Sequence, residues 1–107
     1  FDYSRVVIHG DFGTGNILFD PAWLEFTGVI DFGCEGLGDP ALDFAAIYGW
    51  QGRGATFAKR FFKLYPGLES TMDRVRFYTG TYLLQEALFG VENNEPELIE
   101  SGLEPYR

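Results

Sequence analysis

Two short groups of residues in the first third of the chain carry chemistry. His9-Gly10-Asp11-Phe12-Gly13-Thr14-Gly15-Asn16 comes first, and Asp31-Phe32-Gly33 begins 15 residues after Asn16. Each group sits where a short apolar run meets a glycine-rich stretch. Each is therefore expected at a strand end, where a scaffold fixes the backbone and a loop exposes the side chain. The residue types suit phosphoryl transfer. That reaction needs a carboxylate to orient the attacking hydroxyl and accept its proton, and a divalent cation held against phosphate oxygens. Mg²⁺ takes hard oxygen ligands, usually one or two carboxylates with phosphates and water. An Asn carbonyl and an Asp carboxylate on neighbouring strands of a hairpin supply such ligands. Asp11, Asn16 and Asp31 have the required types, and a hairpin would bring them together.

The elements that must position these groups are legible in the periodicity. Arg5–His9, Asn16–Asp20 and Thr27–Phe32 read as strands. Asp20-Pro21 is a turn signal, so the last two are expected to form a hairpin. Gly10, Gly13 and Gly15 mark one loop, and Gly33, Gly36 and Gly38 another. From Asp39 the period changes. Asp39 suits an N-cap and Pro40 the first helical position. Ala41, Phe44, Ala45 and Tyr48 then recur on one helical face, until Gly49, Gly52 and Gly54 break it. Phe57, Phe61, Leu64 and Tyr65 form a second stripe, stopped by Pro66-Gly67. Ser70 or Thr71 is expected to cap a longer helix that carries Leu84, Ala87, Leu88 and Val91 on one face and ends at Asn93-Asn94. A last helix is expected from Pro96 to about Leu103. Strands followed by helices give an α+β class.

Composition excludes several functions. The 107 residues fit at most one domain, and 46% apolar content is too high for a disordered acidic tail. A net charge of -8 argues against nucleic-acid binding, which needs a basic patch. No apolar run reaches the length of a membrane span. The lone Cys34 makes no internal disulfide, which points to a reducing, cytoplasmic location. The opening Phe1-Asp2-Tyr3-Ser4-Arg5 has no Met and no signal-peptide pattern, and it reads as a piece of a longer protein.

H-G-D-x-x-x-x-N (9–16), V-I-D-F-G (29–33) and G-D-P-A-x-D (38–43) occur in that order. They parallel the protein-kinase catalytic loop and D-F-G motif, with Gly10 in place of the usual Arg. Together they resemble the aminoglycoside phosphotransferase and choline-kinase-like family of small-molecule kinases. The resemblance is close over residues 6–50 and weaker through the helical remainder, which includes Phe77-Tyr78 and Leu84-Gln85-Glu86-Ala87. It implies the C-terminal lobe of a protein-kinase-like fold as one partial domain. Residues 5–38 would hold the catalytic and metal-binding loops, and residues 39–107 a helical, acceptor-side part. By resemblance, Asp11 is the catalytic base, and Asn16 and Asp31 hold Mg²⁺ and through it ATP (or GTP). His9 is a structural histidine beside the loop. Asp39 is structural or close to substrate, and Asp43 braces the loop.

The family also needs an N-terminal lobe with a phosphate-binding lysine and a glycine-rich loop. The chain has only Lys59 and Lys63, both in the helical half and on an expected solvent face. The ATP-binding lobe is thus expected upstream, the isolated chain is expected to be inactive, and its bared apolar surface to favour self-association.

Plainer readings stand beside these. Asp11 and Asn16 suit loop capping, Asp31 an Asx-turn, and Asp39 helix capping. Cys34 is expected to be small and partly buried. Tyr48, Trp50, Tyr78 and Tyr82 are expected in the core or lining a cleft, where they could stack on a sugar or cage an ammonium. The acidic run of Glu86, Glu92, Glu95, Glu97, Glu100 and Glu104 is either a solvated face or a rim that attracts a cationic, aminoglycoside-like hydroxyl acceptor. Two rival functions remain. A metal-dependent phosphoesterase usually draws on several histidines, and the chain has one. A non-catalytic binding module that kept the fold would tend to lose one of Asp11, Asn16 and Asp31.

Overall fold

A computed structural model describes residues 2–49, 56, 59–60 and 64–107. Four strands come first: β1 (Val6–Ile8), β2 (Ile17–Asp20), β3 (Glu25–Val29) and β4 (Gly36–Gly38). Three helices follow among the described residues: α1 (Ala41–Tyr48), α2 (Leu68–Asn93) and α3 (Pro96–Leu103). Short 3₁₀ turns cover Thr14–Asn16 and Glu104–Tyr106.

The strands form two antiparallel pairs. β2 and β3 make the expected hairpin, with Ile17 opposite Val29 and Asp20 opposite Glu25. Its turn is set by Asp20, whose Oδ1 accepts the backbone N–H groups of Ala22 (2.8 Å) and Trp23 (3.3 Å). This is the local bonding that favours Asp at turns. β3 starts two residues before the expected Thr27 and stops three before Phe32. Asp31 has φ 63°, which ends the extended run. β1 pairs with β4, placing Val7 opposite Leu37. Gly36-Leu37-Gly38 reads as loop by composition, and only pairing with the β-branched β1 makes it a strand.

α1 begins as its sequence demands. Asp39 Oδ1 accepts the Ala41 N–H at 3.0 Å, while Pro40 is already helical with φ −57°. Ala41 and Ala45 bury against Met72 and Val75 of α2, and Phe44, Tyr48, Tyr78 and Tyr82 pack around that cluster. Of the expected second stripe, Phe57 and Phe61 lie outside the described residues, as do Trp50, Gly52, Gly54 and Lys63. Leu64 and Tyr65 sit in an exposed turn, with the Tyr65 ring edge-on to Phe44 at 4.8 Å.

α2 departs from expectation at its start. It starts at Leu68, directly after the left-handed Gly67 (φ 82°). Ser70 and Thr71 do not cap it. Their hydroxyls donate backwards, to the carbonyls of Gly67 and Leu68. The expected apolar face is present and only partly buried. Ala87 is buried, but Leu84, Leu88 and Val91 are exposed. The inner side instead carries Met72 and Val75 toward α1, and Ala87 and Gly90 toward α3, while Leu68 is buried at its start. The helix ends as expected, with Asn94 left-handed at φ 56°.

α3 spans Pro96–Leu103, as its sequence suggests, and lies very close to α2. A Cβ at Gly102 would stand 2.7 Å from the Ala87 nitrogen and also run into the Leu83 carbonyl. Gly102→Ala therefore forces the two helices apart. The expected cost is about 1–3 kcal/mol, read as a lower denaturation midpoint. No described helix is long and apolar enough to cross a membrane.

Candidate active site

The site is built on the turn between β1 and the Thr14–Asn16 segment. Asp43, in the first turn of α1, grips that turn with both oxygens. Its Oδ2 accepts the His9 N–H at 2.8 Å and its Oδ1 the Gly10 N–H at 2.9 Å. Gly10 has φ 85°, and a Cβ there would collide with the Cys34 carbonyl. Both facts explain why glycine stands where the kinase pattern has Arg: this backbone admits no side chain.

His9 is buried and links two loops. Its Nε2 lies 2.9 Å from the Ile30 carbonyl, which can only accept, so Nε2 carries the proton. Nδ1 is then the acceptor, and it takes the Asp11 N–H at 3.2 Å. The Phe32 and Phe12 rings pack on the imidazole at 4.7 and 5.7 Å. One side chain thus ties the backbone of Asp11 to the residue before Asp31.

Asn16 completes the group. Its Nδ2 donates to the Asp11 carbonyl at 2.8 Å and to Asp11 Oδ2 at 3.1 Å. Its backbone carbonyl accepts the Ile30 N–H at 3.0 Å, which carries the hairpin ladder one step past β3. Asp31 comes next, exposed and left-handed. Asp11 and Asn16 are in direct contact, and Asp31 stands one residue from the cross-strand neighbour of Asn16. With Nδ2 engaged, the Asn16 amide oxygen has no hydrogen-bond partner among the described residues, nor has the Asp31 carboxylate. The Asp31 carboxylate and the Asn16 amide oxygen fit the hard-ligand preference of Mg²⁺. Among the described residues there is no cluster of three or more His, Cys, Asp or Glu side chains able to hold a metal.

Asp39 lies elsewhere. It is 1% exposed and faces Arg74 of α2, with Nε to Oδ2 at 2.8 Å and Nη2 to Oδ1 at 3.3 Å. Its contacts are those of a helix cap and a buried ion pair. Cys34 is exposed, contrary to the expectation of partial burial. Its backbone, rather than its thiol, is what packs on Gly10.

An open cleft of about 880 Å³ runs from Asp11 and Thr14 to the helices. Its far wall includes Thr79, Tyr82 and Glu86 of α2, Ser101 of α3, and Glu104. Of the acidic run, Glu86 and Glu104 reach this cleft. Tyr82 is the cleft-lining aromatic. Thr79 and Ser101 carry no motif that marks them in the sequence, although Thr79, Tyr82 and Glu86 at i, i+3 and i+7 share one helical face.

Burial pushes the Tyr82 phenol above the usual tyrosine range, and the Asp43 and Asp11 carboxylates add to this. Tyr78 is raised for the same first reason, with Asp39 adding. The Arg74 guanidinium is raised by its hydrogen bond to Asp39. A raised tyrosine favours the folded state fully below the unfolded pKa near 10. That contribution is lost as pH rises through the folded value. In an alkaline absorbance titration, Tyr78 and Tyr82 are expected to ionise above the usual tyrosine range. Tyr82→Phe removes one late step.

A sequence profile described as the phosphotransferase enzyme family matches residues 2–78. The chain belongs to this family. Viomycin phosphotransferase from Streptomyces vinaceus is 32% identical over 111 residues. That alignment covers 97% of this chain and 37% of the relative. This phosphotransferase-family chain thus spans little more than a third of its relative's length. Among solved structures, the gentamicin complex of APH(2")-IIa superposes with TM-score 0.65 at 23% identity. It covers 97% of this chain and 36% of that one, and it speaks to fold alone. A thermostable mutant of aminoglycoside phosphotransferase APH(4)-Ia, in its apo form, gives TM-score 0.65 at 27% identity, covering 94% and 35%. The α+β, kinase-like fold expected from the motifs is the fold of these neighbours.

Proposed function

We propose that the chain is the catalytic part of the C-terminal lobe of a small-molecule kinase. It transfers the γ-phosphoryl group of ATP (or GTP) to a hydroxyl of an aminoglycoside-like acceptor. The observation that carries this reading is the contact of Asp11 with Asn16, whose cross-strand neighbour precedes Asp31, together with the cleft that Asp11, Glu86 and Glu104 line. Asp11 is exposed, as a base that meets a substrate hydroxyl must be. Its backbone is held by His9 and its carboxylate by Asn16, so the acceptor oxygen meets a fixed partner. Asn16 and Asp31 are the residues that would hold Mg²⁺, which when bound offsets charge on the phosphate oxygens. Glu86 and Glu104 across the cleft supply negative charge for the amines of a cationic acceptor.

Residues 1–107 form one partial domain in this reading. The phosphate-binding lysine comes from an upstream lobe of the same chain, because Lys59 is exposed in the helical half. The isolated chain is inactive and self-associates through apolar surface that the lobe covers. The whole protein works in the cytoplasm, where ATP and a reduced Cys34 coexist.

The test uses the full-length protein with Mg²⁺ and ATP or GTP, against aminoglycosides, viomycin, choline, homoserine and sugars. Nucleotide consumption stimulated by an aminoglycoside or by viomycin is the expected result. Stimulation by an uncharged sugar alone removes the role given to Glu86 and Glu104. No stimulation by any hydroxyl acceptor contradicts the kinase reading.

A further inference from the structure

The cleft wall holds a rigid hydrogen-bond donor that no other part of the described molecule engages. Tyr82 of α2 is half-buried, and it packs against the buried cluster of Ala41, Ala45, Met72 and Val75. It also lines the cleft to which Asp11 contributes, and its phenol lies within electrostatic reach of the Asp43 and Asp11 carboxylates. Among the described residues its hydroxyl makes no hydrogen bond. A phenol withdrawn from bulk water usually finds a partner.

The neighbouring polar groups are placed differently. Thr79, one turn earlier on α2, donates its hydroxyl to the Val75 carbonyl at 2.9 Å. Both Asp43 oxygens already accept the His9 and Gly10 N–H groups. Glu86, one turn later, has no proton to donate when ionised. Thr14 and Ser101 are exposed, and their hydroxyls swing about a single bond. Tyr82 differs from all of these, because its ring is held by packing and its hydroxyl is unengaged. Burial holds the phenol above the usual tyrosine range, and the Asp43 and Asp11 carboxylates add to this. The hydroxyl therefore keeps its proton at neutral pH and acts as a donor, which leaves Asp11 as the group that takes a proton.

We infer that the Tyr82 hydroxyl donates a hydrogen bond to an oxygen of the acceptor near the hydroxyl that meets Asp11. The inference deepens the proposed kinase reading and rests on it. A single contact at Asp11 leaves an acceptor free to turn about that point. A second contact, from a side chain fixed on the opposite wall, removes that freedom and holds the reacting oxygen against the base. Glu86 and Glu104 supply charge, which acts over distance and is poor at setting direction. Tyr82 supplies the directional contact.

The test is Tyr82→Phe in the full-length protein, with Mg²⁺ and saturating nucleotide, and with gentamicin and viomycin as the acceptor probes. The substitution keeps the ring and removes only the hydroxyl. The acceptor KM is expected to rise about 3–10-fold, the worth of one neutral hydrogen bond. A contact made equally in the ground and transition states changes KM alone, so kcat is expected to stay within about two-fold. The nucleotide KM and the denaturation midpoint are expected to match the parent, because the hydroxyl engages no described residue. An acceptor KM within about two-fold of the parent overturns the inference and leaves Tyr82 a packing residue. A fall in kcat at unchanged acceptor KM also overturns it, since the hydroxyl then acts in proton transfer. Absence of turnover with either probe in the parent overturns the inference together with the kinase reading on these acceptors, and it is seen without the variant.

Discussion

Asp11→Asn lowers acceptor-stimulated turnover of the full-length protein by about 10²–10⁴-fold, the usual worth of a positioned general base. The substitution keeps shape and removes only the ability to accept a proton. Asp11 is fixed by its backbone N–H on His9 and its carbonyl on the Asn16 amide, and neither bond needs the carboxylate. The denaturation midpoint is therefore expected to stay close to that of the parent. Only the hydrogen bond from Asn16 Nδ2 to Asp11 Oδ2 is weakened, and it is exposed and worth little. A base that acts only as the hydroxyl attacks lowers kcat and kcat/KM together when it is removed. Turnover within a few-fold of the parent contradicts the assignment of the base. A matching fall in stability would make Asp11 a loop cap instead.

The second large effect is on stability. Arg74→Met leaves the Asp39 carboxylate, whose side chain has no exposed surface, without its cation. The remaining partners are then neutral donors, among them the Ala41 N–H at the start of α1 and the Tyr78 hydroxyl. Removing one partner of a buried ion pair costs about 3–5 kcal/mol. That is a large share of the margin of an ordinary domain. Because the pair joins the start of α1 to α2, its removal also loosens Asp43, which sits one turn further along α1 and holds the His9–Gly10 turn. Urea denaturation of the full-length protein measures the cost. Replacing both partners, Asp39→Leu with Arg74→Met, is expected to restore part of it, because no buried charge is then left unpaired. A single variant within about 1 kcal/mol of the parent would show that water reaches Asp39 and screens it as it does a surface pair.

The candidate site is legible in the sequence because it is local. Asp11 and Asn16 are five residues apart in one loop, and the β2–β3 hairpin follows from Asp20-Pro21 and two β-branched runs. The end of β3 misleads because Ile30-Asp31-Phe32 looks extended, while Asp31 turns left-handed beside the site. β4 escapes because two glycines around one leucine carry no strand preference, and its pairing with β1 spans 30 residues. The face of α2 misleads for a related reason. Leu84, Leu88 and Val91 are a better apolar stripe than Ala87 and Gly90, but the small residues are what let α3 approach. Periodicity shows where a helix is apolar, not which side its neighbour occupies. Arg74, the partner of Asp39, stands 35 residues away and carries no local signal at all. The same holds for Thr79 and Ser101 in the cleft.

The proposed reading gives one site two separable roles: Asp11 would handle the proton, while Asn16 and Asp31 would hold the cation. Electron paramagnetic resonance of Mn²⁺ with bound ATP in the full-length protein separates them most directly. The expected result is that Asp11→Asn keeps the protein-bound Mn²⁺–nucleotide signal and loses turnover, while Asp31→Asn loses the bound signal. An unchanged signal in Asp31→Asn, or equal loss of it in Asp11→Asn, would contradict this division of labour.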